Sequence, residues 1–574
     1  MPFDLEYDLL VAGSGAGALT AALRARKAGA RVLVVEKDAL WGGTSGTSGG
    51  GIWIPGSHLA AAAGHPDDLD DAYRYVRALT APNVKDEQVR SYVDNASKML
   101  FWVEAEAQTH FAAMQYPDYY PETPGSREGF RTHLIYDSSP SSILSREAFD
   151  TMQHASPAAS LFGRINWLMN ETYAALLRPK GWQKVLGTML ARYWLDFPQR
   201  LRSGRDRRLT MGTALLGRLR AAYDNAGGEL WLQSPVVSLI NENGRVTGAV
   251  VRRQGRELRI GATKGVILAA GGFERNAKLR AEYLKNMPEP GASGGQIGNT
   301  GDTLLMAQQA GAATRNMNSA WIAPVFRFPG EVRSRLSTIE RALPYSMIVD
   351  QSGKRYGNEA LCYHRLGTLM AEKDSPEART TPSWFVFDAN YRARYPASAL
   401  LPIIPDMLQS ASVRKVLKKA GSIAELARKI GVEPAVLEAT VTRFNRMAKV
   451  GKDEDFGRGD AAYDRLYGDA RVTPNPSLGA LERAPFYALP LHLGDIGTNG
   501  GLVTDGIGRV LRDDGSAIGG LYAVGNVAAS VMGYAYPGAG STLGPAMTFG
   551  YLAAAHAMGL NSLEPMQAEI SEAG

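Results

Sequence analysis

The chain has 574 residues, 45% apolar and 21% charged, with 63 Gly, 30 Pro, eight His and one Cys. This length exceeds a single hydrophobic core, so two or three domains are expected, and the apolar fraction excludes a mostly disordered chain. A mean hydropathy of −0.18 and the lack of any apolar run of about 18 residues argue against a transmembrane helix. Cys362 stands alone, so an intrachain disulfide and Cys-ligated zinc are excluded. The histidines show no ligand spacing, and no metal is expected.

The net charge of +6 is local in origin. Residues 161–208 hold ten basic and three acidic side chains, a net of +7, which leaves −1 for the rest of the chain. A basic balance confined to one segment does not indicate a nucleic-acid-binding protein, and no nucleic-acid partner is expected.

Met1–Glu6 is too short and too acidic for a signal peptide, which leads us to expect a cytoplasmic protein. Tyr7–Ala12 is an apolar run suited to a buried parallel strand, and it leads into Gly13-Ser14-Gly15-Ala16-Gly17-Ala18. Leu19–Ala30 reads as a helix, Arg31–Val35 as a second strand, and Glu36 closes it. In this arrangement Gly13 allows a tight turn, Gly15 lets backbone approach a pyrophosphate, and Ala18 is small enough for close helix–strand packing. The helix N-terminus supplies amide protons, and Glu36 accepts from an adenosine ribose hydroxyl. A dinucleotide site is the expectation.

Three further glycine-rich segments favour FAD over NAD. Gly42-Gly43-Thr44-Ser45 through Ser48-Gly49-Gly50 is a loop able to lie against a flat ring. Gly265–Ala270 is a buried strand ending in Gly271-Gly272, and Gly520–Val524 is another ending in Gly525-Asn526. The latter precedes Tyr536-Pro-Gly-Ala-Gly540-Ser541-Thr-Leu543-Gly544 and an apolar helix from about Ala546 to Met558, whose positive end could face a reduced flavin ring.

This four-part pattern resembles the flavoproteins of the fumarate reductase and succinate dehydrogenase superfamily. The resemblance implies an α/β fold in which a Rossmann-like FAD-binding domain is interrupted by an α+β substrate-capping (catalytic) domain. The expected layout is 1–281 and 482–574 for FAD binding and 282–481 for the cap. Where covalent members carry a His, this chain has Thr44, Ser45, Thr47 and Ser48, so dissociable FAD is expected.

Pro117-Asp-Tyr119-Tyr120, Asn299-Thr-Gly-Asp302, Asn358–His364, Gly494–Gly501 and Tyr536–Gly540 are similar to the 3-ketosteroid Δ1-dehydrogenases. That resemblance implies desaturation of a 3-oxo-Δ4-steroid to the Δ1,4 product. A hydride would pass to flavin N5 and a proton to a tyrosine. It assigns Tyr536 and the Gly540 N–H to the ketone, Tyr363 to the base, and Tyr119 to its assistance, with Tyr120 the alternative. The base is expected to have its pKa lowered by a neighbouring hydroxyl and the flavin. The resemblance also implies cofactor contacts from Lys37, Val237, Ala270, Asn299, Asp302, Asn526, Ser541 and Leu543, besides the glycine-rich segments above. Tyr116 and Tyr534 read as lining or packing residues, His364 and Cys362 as packing. The Pro-Tyr345-Ser sequence departs from the family's Pro-Gly and is expected to reshape the substrate entrance. The electron acceptor is left open between a quinone and a redox protein. Alternative readings are a Δ4-dehydrogenase, a fumarate-type reductase, or a membrane-bound sterol-binding or electron-transfer flavoprotein without turnover.

Residues 158–208 are read as an insertion. Leu161, Ile165, Leu168, Met169, Leu176 and Leu177 recur at helical spacing, with Trp167, Trp182 and Trp194 among Arg and Lys. Short amphipathic basic helices of this kind suit a membrane surface, so peripheral attachment to the inner face and access to sterols with intact side chains are expected.

Overall fold

The computed structural model describes residues 2–157, 160–287, 289–402 and 404–560. Ala158 and Ala159, at the start of the expected insertion, and residues 561–574 lie outside the described residues.

Leu5–Ala12 runs parallel to Val32–Val35 on one side and to Arg256–Leu268 on the other. Glu229–Trp231 extends this sheet beyond Val32–Val35, and Ala517–Ala523 pairs with Val266–Leu268. Both faces are covered, and successive residues alternate between them. Leu9, Val11, Val32 and Val34 enter one core while Leu10, Ala12, Leu33 and Val35 enter the other. That double burial explains why the strands are apolar throughout rather than alternating with polar residues.

The first face is covered by the Ala16–Lys27 helix, which packs on the C-terminal Leu543–Ala557 helix. Contact is backbone to backbone: a Cβ added at Gly17 would meet the Ala546 carbonyl oxygen at 2.6 Å, and one at Gly550 would meet the Gly17 oxygen at 2.4 Å. The two ends of the sequence are thereby fixed to one another.

A second, antiparallel sheet of six strands is built around the long strand Phe486–Thr498, which pairs with Ala320–Phe326, Ser383–Phe387 and Lys418–Ala420. Ile423–Ile430 and Pro434–Val450 are amphipathic helices that bury Leu426, Ile430, Leu437, Val441 and Phe444 against it. Two boundaries move. The expected return at 482 precedes Phe486–Thr498, a strand of the second sheet, so the chain re-enters the first sheet only at Arg509–Leu511 and Ala517–Ala523. At the other boundary, Leu304 and Ala307 still pack in the first sheet's core, beyond the expected start at 282.

The insertion is only partly helical. Ser160–Leu161 and Ile165–Asn166 form a hairpin instead of the helical turn that the aliphatic spacing suggests, because Phe162 (φ 57°) and Gly163 (φ 67°) turn the chain between them. Met169–Leu177 and Trp182–Leu195 are helices. Leu161, Ile165, Trp167, Met189 and Tyr193 make a small core of their own. Trp194, Leu195, Phe197 and Leu201 remain 58%, 67%, 64% and 89% exposed.

Substituting Gly550→Val should force the two helices apart, lowering the denaturant midpoint by the equivalent of about 1–3 kcal/mol and weakening cofactor retention. A midpoint at or above that of the parent protein in urea titration would contradict this packing.

Candidate active site

A cavity of about 700 Å³ lies between the two sheets' domains, and the glycine-rich turn forms one end of it. Gly13 (φ 108°) takes a conformation that a side chain would strain, and a Cβ there would meet the Ala269 oxygen at 2.3 Å. The turn presents the N-terminus of the Ala16–Lys27 helix to the cavity, with the Ala16 N–H donating to Ser45 Oγ at 3.1 Å. Ser14 Oγ donates to Glu36 Oε2 at 2.5 Å and accepts the Gly42 N–H at 2.9 Å. Burial raises the Glu36 carboxyl above its usual range, while Ser14 and the Asp38 N–H act in the opposite sense.

Ser14, Gly15, Gly17, Ala18, Lys37, Gly43, Thr44, Ser45, Ser48, Gly49, Gly50, Ala270, Gly271, Asn299, Asp302, Gly525, Asn526, Gly540 and Leu543 all line the same cavity. Three expected contacts do not. Val236 lines it rather than Val237, since neighbouring strand residues face opposite sides. Gly42 turns its N–H to Ser14, and Ser541 is buried with its hydroxyl donating to the Gly538 oxygen at 2.7 Å. Lys37 bridges Asp302 and Thr300, both at 2.6 Å. Asn299 donates to Thr44 Oγ1 at 3.1 Å and to Glu274 Oε1 at 2.5 Å. Burial, reinforced by Asp495, raises Glu274 to about 7. Asp495 is a structural group: it pairs with Arg280 at 2.6 Å, both fully buried.

The other end of the cavity is tyrosine. Tyr119, Tyr363 and Tyr536 form a triangle, with ring centroids 5.7 Å (Tyr119–Tyr363), 5.7 Å (Tyr119–Tyr536) and 5.4 Å (Tyr363–Tyr536) apart. Tyr363 begins the Tyr363–Lys373 helix, capped by Cys362. Tyr536 and Gly540 lie on one loop, pinned where Tyr75 Oη and the Tyr119 N–H donate to the Pro537 oxygen, at 2.7 and 2.8 Å. Gly540 has φ 100°, and a Cβ there would meet the Ile52 backbone at 2.4 Å. Burial raises the Tyr536 hydroxyl, while the Tyr363 and Thr542 hydroxyls and the Gly540 N–H, all beside it, act in the opposite sense.

Tyr119, not Tyr120, faces the cavity; Tyr120 lies under the Arg365 guanidinium, 5.0 Å from its ring centre. His364 is buried between the Ile322 and Tyr534 carbonyls and Cys362 is buried, as packing residues. Tyr345 is not among the residues that border the cavity; it lies against Arg394.

Of the two causes expected to lower Tyr363, the neighbouring hydroxyl is Tyr119. Burial and then Tyr536 push it well above its ordinary value, and among the hydroxyls named only Tyr119 lowers it. Sequence reading also missed Tyr463 and Tyr467. Tyr116 and Tyr467 share a short hydroxyl–hydroxyl hydrogen bond, and Tyr463 stacks edge-on to Tyr119 at 5.0 Å. Their four-residue spacing, with Tyr463 on the short Ala462–Leu466 helix and Tyr467 at its C-cap, was the available signal. Arg333 and Gln296 line the cavity without any motif to mark them.

The sequence profile of the FAD binding domain family matches residues 8–543. A 3-oxosteroid 1-dehydrogenase of Comamonas testosteroni is 40% identical, covering 96% of this chain and 97% of its own. A 4-oxocyclohexanecarboxylate 2-dehydrogenase of Sinomonas cyclohexanicum is 39% identical, covering 95% and 92%. The solved 3-ketosteroid delta1-dehydrogenase of Sterolibacterium denitrificans, in complex with 1,4-androstadiene-3,17-dione, superposes with a TM-score of 0.90 at 39% identity, covering 96% and 99%. The chain belongs to the 3-oxosteroid 1-dehydrogenase family. FAD is the cofactor of this family member. Its cavity fits that group. Gly13 and Gly17 have no room for a side chain, Glu36 lies beside that turn, and the buried Gln296 amide nitrogen has no partner among the described residues.

Glu274 holds Asn299 at this wall, and its carboxyl titrates near 7 in the folded state against 4.5 in the unfolded chain. Between these values the folded protein binds more protons, so stability falls as pH rises through the interval. Relative to Glu274→Gln, the parent protein should lose roughly 3 kcal/mol between about pH 4.5 and 7. Parallel stability curves for the two in urea would contradict this.

Proposed function

We propose that the protein desaturates the C1–C2 bond of 3-oxo-Δ4-steroids to give 3-oxo-Δ1,4-steroids. The observation that carries this is the placement of three tyrosines and the Gly540 N–H on the same cavity as the dinucleotide turn. Bound FAD, held without a covalent bond because the Thr44–Ser48 stretch offers no His, supplies two-electron oxidation.

The residues themselves handle the ketone and the proton. Loss of a proton from the carbon beside a ketone builds negative charge on its oxygen, which Tyr536 Oη and the Gly540 N–H stabilise. A phenol and an amide do this without placing a full charge against an apolar ring system. Tyr363 takes the proton. Because burial keeps it neutral, it must first release its own, and Tyr119, Tyr116 and Tyr467 form the outlet. Residual ground-state binding survives loss of either role, so the variants separate them. Tyr363→Phe should lower kcat by about 10²–10⁴-fold with FAD retained. Tyr536→Phe should cost about 10²–10³-fold. The rate should climb from neutral toward alkaline pH, as a raised pKa requires, and Tyr119→Phe should move that rise further up, since Tyr119 is the hydroxyl that lowers Tyr363. A pH profile unchanged in Tyr119→Phe would remove it from the mechanism.

A second reading rests on the relative that acts on 4-oxocyclohexanecarboxylate, at 39% identity. Desaturation beside a ring ketone is common to both. Turnover of that keto acid in preference to androst-4-ene-3,17-dione would favour it, and the product's ultraviolet spectrum separates Δ1,4 from Δ4 chemistry.

The insertion supports surface attachment to an anionic bilayer and uptake of sterols with intact side chains, such as cholest-4-en-3-one. Trp194, Leu195, Phe197 and Leu201 are exposed, as are Lys184 and Arg202 of the same insertion, while its Met169 and Thr172 border the cavity. Among the described residues no helix is long and apolar enough to cross a membrane. Replacing Trp194 and Phe197 with Ser should abolish sedimentation with phosphatidylglycerol vesicles and leave androst-4-ene-3,17-dione turnover intact. Unchanged sedimentation would show that this face does not meet lipid.

A further inference from the structure

We propose that a second cleft, where the insertion meets the capping domain, binds a phosphate monoester. It is about 510 Å³ in volume and is lined by Leu177, Arg178, Trp182, Ala393, Arg394 and Arg471. None of these residues borders the catalytic cavity.

Three arginines, Arg178, Arg394 and Arg471, line this cleft, and one carboxylate pairs with them. Arg471 pairs with Asp469 at 2.7 Å. Arg178 donates to the Ala393 oxygen at 2.7 Å and to the Arg394 oxygen, which fixes its position but brings no counter-charge. Arg394 has neutral company as well: it donates to Tyr345 Oη at 3.3 Å and lies 5.2 Å from the centre of that ring. Among the described residues neither Arg178 nor Arg394 has an acid within ion-pair distance. Arg178 is close enough to Arg471 for the two to repel, an effect that adds to burial in lowering Arg178.

Like charges held together in a cleft are stabilised by a multiply charged anion that accepts several N–H bonds at once. A phosphate monoester carries about −1.5 to −2 charges and three acceptor oxygens, and guanidinium forks match it geometrically. Trp182, 5.9 Å from Arg178, and Leu177 give the cleft an apolar wall for the organic part of the ester. The ester could be a lipid headgroup or a soluble metabolite; both present the same group.

The test is calorimetric titration of the FAD-loaded protein with glycerol 3-phosphate, repeated in excess inorganic phosphate. Saturable binding that inorganic phosphate displaces is expected. Arg394→Gln should weaken it about tenfold, the loss expected for one charge-assisted contact, with androst-4-ene-3,17-dione turnover unchanged. Arg394 is exposed, so this variant leaves the fold alone, and Arg178→Lys, which keeps the charge but not the fork, should weaken binding too. In a second arm, binding to phosphatidate vesicles that glycerol 3-phosphate suppresses identifies a headgroup as the source. Vesicle binding that it leaves untouched identifies a soluble ester. No saturable heat at millimolar glycerol 3-phosphate, or equal affinity in both variants, would overturn the proposal.

Discussion

The backbone contact between the first helix and the last is the constraint on which the site depends. Gly17 and Gly550 let the two helices touch where side chains would separate them, and Ala546 closes the same crossing. Residues more than 500 positions apart in sequence, the Gly13 turn and the Tyr536–Gly540 loop, are thereby brought to one cavity. The second sheet adds Tyr363 from a helix that packs across Ala320–Phe326, where Gly367 approaches Ala323. Three separate stretches thus converge, and each is held by close-packed backbone rather than by adjustable side chains.

Electrostatics follow from that closeness. The tyrosine triangle is buried, so its hydroxyls are neutral and answer chiefly to one another. A site meant for an apolar ring system gains from this, because fixed charge would have to be desolvated on binding. Two buried ion pairs brace the wall from behind: Arg280–Asp495 supports the Gly494–Gly501 strand end, and Arg131–Asp118, at 2.9 Å, supports Trp53 beneath Gly538.

Much of the architecture was legible because glycine-rich turns flanked by apolar strands have one common use. The nucleotide turn, the acid at Glu36 and the Tyr536–Gly540 loop could be read residue by residue. Misreadings share a physical cause: sequence gives composition locally but not which way a residue faces. Val237 and Gly42 were each one position from the residue that borders the cavity. Leu161 and Ile165 had helical spacing, yet a three-residue turn made them cross-strand partners. The boundary at 481 preceded a strand whose partners lie more than 60 residues upstream, information that no local pattern carries. Tyr463 and Tyr467, and the direction of the Tyr363 shift, depend wholly on packing between distant segments.

The central claim is that one cavity holds a ring ketone against the tyrosines and within reach of FAD. Anaerobic addition of androst-4-ene-3,17-dione to the FAD-loaded protein, followed by absorbance, tests it most directly. The account predicts bleaching of the flavin band in step with appearance of the cross-conjugated dienone, and no bleaching in Tyr363→Phe. A flavin that stays yellow in the parent protein, or bleaches equally fast in the variant, would contradict it.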